Sequence, residues 1–184
     1  MRIRAARVLI PLVLLLVVVA FVLIWRVRSQ VVYGPMVALC PGPDRYGYTC
    51  EGAAAFAYID ATTPVELFAD DAVTRLELPF PFPFYGATYD EVNVGSNGNL
   101  QFTTRNPLDP ASCLAPAVGW GNVIAPYWAD LDRTMQGALE TAVIGEAPAR
   151  VFVVEWDNVP IYGNDIDDRV TFEAQLFENG DIVF

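Results

Sequence analysis

Apolar and polar residues alternate in short runs along most of this chain, and beyond the N-terminus no run keeps a helical period. The cleanest alternation is Val170–Phe177. Val170, Phe172, Ala174 and Leu176 fall on one face, and Thr171, Glu173 and Gln175 fall on the other, expected to point outward. Val151–Trp156 places Phe152, Val154 and Trp156 on one face, and Gly145-Glu146-Ala147-Pro148 connects it to Ala138–Ile144 at hairpin length. Val73–Leu78 reads as a further strand, Phe56–Asp60 as a short one, and Val123–Trp128 as a strand buried on both sides.

The densest stretch is Leu78–Phe102, LPFPFPFYGATYDEVNVGSNGNLQF. Its prolines exclude helix and hold the backbone extended, so Phe80, Phe82 and Phe84 share one core-facing side. Asn97-Gly98 predicts a type I′ hairpin turn, and Asn179-Gly180 predicts a second, with Asp181–Phe184 as the return strand. Seven or eight short strands separated by turn signals predict an all-β, antiparallel β-sandwich. The last strand is shorter than its partner, which is the expectation for a domain whose sheet continues or whose edge is completed by another strand.

One run breaks the pattern. Val8–Trp25 carries no charge and is bounded by Arg7 and Arg26. As a helix it spans roughly 27 Å, close to the ~30 Å hydrocarbon core of a bilayer. It is longer than the apolar region of a cleaved signal peptide and ends in Ile24-Trp25-Arg26, so it predicts an uncleaved signal anchor. The organisation expected is a cytoplasmic segment 1–7, a transmembrane helix 8–25, a Pro/Gly-containing stalk 26–45, and a β-sandwich over 46–184 that is truncated at its C-terminal end.

Charge agrees with an exported domain. All 22 acidic residues lie beyond position 30, the formal net charge is −11, and there is no histidine. An acidic surface argues against nucleic-acid partners, and the missing histidine excludes Ser-His-Asp and Cys-His catalysis and His-ligated metals. Candidate chemistry is therefore confined to carboxylates and aromatics. Asp130 and Asp132 follow the buried strand, and Asp165, Asp167 and Asp168 sit in one loop. If these segments meet, they form an oxygen-rich calcium site, the one cofactor candidate; otherwise they are solvated loop ends. Paired carboxylates for glycoside hydrolysis lack any sign of a cleft. Trp120, in a Gly-containing loop, is the expected exposed partner contact, while the other aromatics read as core.

Five segments, FPFYG (82–86), SNGNLQF (96–102), NVIAPYWADLD (122–132), VFVVEWDNVP (151–160) and TFEAQLFENGDIVF (171–184), resemble the nidogen-like extracellular domain of bacterial surface proteins. The resemblance implies a non-catalytic β module of adhesive or matrix-facing proteins, with no shared catalytic residues. It also supports a Cys50–Cys113 disulfide, a disulfide being the default expectation in an exported domain, against the competing pair Cys40–Cys50. The functional expectation is a single-pass, membrane-anchored extracellular binding or adhesion module whose partner is a protein or a glycan. The alternative is a structural cell-envelope component that self-assembles or pairs strands with a partner.

Overall fold

The computed structural model describes residues 42–52, 56–107, 120–134, 136–164 and 167–184. The expected anchor at 8–25 and nearly all of the stalk lie outside them. Among the described residues no helix is long and apolar enough to cross a membrane. The chain divides into two compact units, Met1–Gly52 and Ala53–Phe184. In the first, the described residues form a turn in which Asp44 accepts hydrogen bonds from the amides of Tyr46 and Tyr48.

Among its described residues the second unit is all-β. Its strands are β1 (Thr63–Pro64), β2 (Val73–Phe84), β3 (Ala87–Gly95), β4 (Asn99–Gln101), β5 (Val123–Ile124), β6 (Ala138–Ile144), β7 (Val151–Pro160), β8 (Arg169–Phe177) and β9 (Ile182–Val183). They form two antiparallel sheets, ordered β1-β6-β7-β8-β9 and β2-β3-β4-β5. The inner rows follow from register. Leu139, Trp156 and Phe172 align across β6, β7 and β8, and Thr74, Val94, Leu100 and Ile124 align across the smaller sheet. Trp156 is fully buried, stacks on Phe172 at 5.0 Å, and donates its indole N–H to the Gly95 carbonyl, joining the two sheets. Burying a residue of this size is among the largest single contributions to such a core.

The proline-aromatic run continues the strand that begins at Val73, so the two form the single strand β2. Phe80, Phe82 and Phe84 are buried as the alternation predicts, and Phe82 and Phe84 meet Phe102 at 5.7 and 4.9 Å. The prolines are accommodated because β2 is an edge strand and its pairing to β3 is interrupted between Glu77 and Phe82. At the far end Arg150 forms a two-pronged ion pair with Glu178, at 2.9 and 2.6 Å, and donates to the Pro79 carbonyl of the opposite sheet.

Three expectations need correction. Both Asn-Gly hairpins are three-residue loops, flanked by Gly95 and Asn99 and by Phe177 and Asp181, and only Gly98 and Gly180 have positive φ. A type I′ turn needs positive φ at both central residues, which Asn97 and Asn179 do not adopt. Val123–Trp128 is not a strand buried on both sides: the strand ends after two residues, ahead of Ala125-Pro126, and Tyr127 is exposed. Phe56–Asp60 is not a strand but a segment lying across the outer face of the larger sheet.

Candidate functional site

The motif Ser96-Asn97-Gly98-Asn99-Leu100-Gln101 organises one end of the sandwich. Only Leu100 of β4 faces the core, yet Ser96, Asn97, Asn99 and Gln101 are all buried. Burying polar side chains is tolerated only when their hydrogen bonds are replaced. Gln101 uses both ends of its amide. Its Nε2 donates to Asn99 Oδ1 and the Asn106 carbonyl at 2.8 and 2.7 Å. Its Oε1 accepts from the Asn106 amide at 2.7 Å and faces the Thr104 hydroxyl at 2.9 Å. The single Thr104 hydroxyl proton is shared between Gln101 Oε1 and the Trp120 carbonyl, which lies at 2.6 Å. Asn93, on the same outer row, donates to the Gln101 and Thr104 carbonyls.

Asn97 performs the corresponding task toward the other loops. Its Oδ1 accepts from the Leu131 amide at 2.8 Å, while its Nδ2 donates to Asp71 Oδ1 at 2.8 Å. Ser96 pairs with Ala72 through both backbone amide and side-chain hydroxyl. A fully buried asparagine and its neighbour therefore clamp the 70–72 loop against the 130–131 segment. The result is a triad of carboxylates, Asp70, Asp71 and Asp130, whose oxygens lie within 4.8 Å of one another. Three hard oxygen donors at that spacing have the chemistry of a divalent-cation site of the calcium type.

The two loops named from the sequence do meet. The Asp130 carbonyl accepts from the Tyr162 amide, the Asp132 amide donates to the Pro160 carbonyl, and Leu131 bridges Ile161. The expected ligand set is nevertheless only partly assembled. Asp130 belongs to the triad, but Asp132 turns back to accept from the Thr134 amide at 2.7 Å. Asp167 and Asp168 are exposed outside the triad, and Asp165 lies outside the described residues. Asp70 and Asp71 were not anticipated. Their distance in sequence from Asp130 hides a contact that Asn97 creates.

Trp120 is corrected outright. It is 6% exposed and packs edge-to-face on Trp128 at 4.8 Å, so it is a core residue under the loops. Among the described residues, exposed aromatics at this end include Phe68, Tyr127, which packs on Phe172, and Tyr162. Arg133 was also unforeseen. It is buried, donates to the Leu67 and Gly137 carbonyls, lies over Phe68, and has its pKa lowered by burial against the opposing pull of Glu140. Of the three cysteines, Cys40 and Cys113 lie outside the described residues, and with them one partner of each expected disulfide pairing.

No solved structure matches this chain. A family model described as NIDO related matches residues 47–184, which takes in all nine strands of the described residues and the whole Asn97-centred loop cluster. The chain thus belongs to the NIDO-related family.

Proposed function

We propose that this chain is a membrane-anchored extracellular binding module that carries out no catalysis and meets a protein or glycan partner through its loop-bearing end. The observation that carries the reading is the investment of buried polar groups there. Asn97 and Gln101 fix the loops 70–72, 104–107 and 130–131 with side-chain hydrogen bonds, where strands alone would leave them loose. Rigid loops on a sheet scaffold are where recognition concentrates, because little ordering entropy remains to be lost on binding. Family membership supports an extracellular binding or structural module, and the uncharged run 8–25 supports the anchor.

The direct test is protease treatment of intact cells. The β domain is expected to be released, and in pull-down and glycan-array assays the released domain is expected to bind a ligand that Tyr162→Ala loses. Tyr162 is exposed, so that substitution tests the surface with little effect on the core. Protection from the protease, or binding unaffected by Tyr162→Ala, contradicts the reading.

The alternative is a self-assembling envelope component, which family membership accommodates as a structural rather than a binding module. Concentration-dependent sedimentation of the released domain would favour it.

Calcium enters as part of the same proposal, with Asp70, Asp71 and Asp130 as ligands in place of the set expected from sequence. Extracellular calcium modules bind at ~0.1–1 mM. Millimolar calcium is then expected to raise the melting temperature by about 5 °C through mass action. Asp130→Asn is expected to cancel the rise. A melting temperature unmoved by calcium removes the ion from the proposal.

A further inference from the structure

The outer face of the larger sheet carries a second buried polar cluster, remote in sequence from the Asn97 loops. Glu140, Glu155 and Glu173 stand directly opposite one another across β6, β7 and β8. Opposed residues in an antiparallel ladder bring their Cβ atoms to about 5 Å, and like charges there repel. Two of the three are nonetheless shut away from solvent: Glu155 is 4% exposed and Glu173 is 2% exposed. What covers them is the segment 56–61.

That cover is held by the carboxylates themselves. Glu155 accepts from the Tyr58 hydroxyl at 2.5 Å and from the Ala61 amide at 2.7 Å. Glu173 accepts from the Ile59 amide at 3.2 Å and from Gln175 Nε2 at 2.7 Å, and Gln175 also donates to the Ala57 carbonyl. Apolar anchoring is limited, since Phe56 and Tyr58 keep 48% and 42% of their surface exposed and only Ala61 is fully buried. The segment therefore stays seated as long as two adjacent carboxylates tolerate burial.

We propose that residues 56–61 form a pH-operated strap, closed over the β6–β7–β8 face while the buried Glu173 carboxyl carries a proton, and released when Glu173 ionises. A protonated Glu173 still accepts from the Ile59 amide, while Glu155 accepts from the Ala61 amide. An ionised Glu173 sets a buried charge directly opposite the Glu155 carboxyl without water. Asp60 on the strap and Glu155 on β7 repel the charge of an ionised Glu173, and Glu140 on β6 lies next in the row beside Asp157 on β7, while the neutral Tyr58 hydroxyl donates to Glu155. Arg133, the cation near this row, acts on Glu140 at its end. Opening the strap admits water to the carboxylates and relieves the repulsion.

The direction follows from linkage. Burial is the largest cause holding the Glu173 carboxyl above its ordinary range, so the closed state binds the proton more tightly than the open state. Closure is fully favoured below the ordinary glutamate pKa and is lost as pH rises through the raised value.

Hydrogen exchange on the full chain, corrected for intrinsic rates, tests this. Protection of residues 56–61 is expected to fall about tenfold or more between pH 5 and pH 8, while the ladder amides of β7 keep theirs. Glu173→Gln, which supplies a permanently neutral group of the same shape, is expected to hold the strap closed at both pH values. Glu155→Gln loses one of two acceptors and is expected to loosen it at both. Protection of 56–61 that does not change with pH overturns the proposal. So does a pH-dependent fall that persists in Glu173→Gln, or one shared equally by β7.

Discussion

Gly98→Ala is expected to destabilise the β domain by more than about 4 kcal/mol, a large share of the ~5–15 kcal/mol that is usual for a whole domain. Two costs combine. Gly98 has φ +72°, where an L-residue costs roughly 1–2 kcal/mol. An added Cβ would also overlap the Tyr127 carbonyl oxygen and press on the Phe172 ring at 3.0 Å. Neither neighbour yields cheaply: Tyr127 packs at a tilt on Phe172, and Phe172 stacks on the fully buried Trp156. Gly163→Ala is the matched control. Its φ is +75°, yet an added Cβ would meet nothing within 4 Å, so only the backbone cost applies, about 1 kcal/mol. Urea unfolding of the two variants separates conformational strain from collision. Equal, small losses would show that the loop end can shift as a body.

Gln101→Glu is expected to cost more than about 3 kcal/mol at pH 7.5 and much less at pH 4.5. The substitution keeps the shape but turns the Nε2 donor into an acceptor, facing Asn99 Oδ1 and the Asn106 carbonyl where hydrogen bonds of 2.8 and 2.7 Å stand now. An ionised carboxylate there is buried, unpaired and opposed by two oxygens. Protonation restores one donor. The introduced carboxyl's folded-state pKa then lies above its unfolded value, so its contribution to stability is greatest at low pH and declines as pH rises through the folded value. Measured against wild type at each pH, the urea midpoint isolates this effect from the pH response of Glu173. A variant as stable as wild type at pH 7.5 would mean that the Gln101 network is not what fixes the 104–107 loop.

How far the sequence reaches can be judged from two residues of the same strand. Phe172 and Glu173 follow one another in β8, and alternation alone assigns them to opposite faces, correctly. The same rule puts the aromatics of β2 on one side, a connection of hairpin length pairs β6 with β7, and five short segments carry the resemblance to nidogen-like domains. All of these are local, because a strand's period is two and its turns span a few residues. What the period does not contain is whether a face is covered. Glu173 and Gln175 lie on the outer face as expected, and Gln101 lies on that of the smaller sheet, but all three are buried, because segments distant in sequence or looped back on the strand, 56–61 and 104–106, fold over them. Trp120 goes into the core for the same kind of reason, through its packing on Trp128. Asp71 reaches Asp130 only because the buried Asn97 side chain bonds to the two loops that carry them. Such contacts are decided by which loops close over which face, and that depends on long-range packing and on replacing the hydrogen bonds of buried polar groups, neither of which leaves a period in the chain.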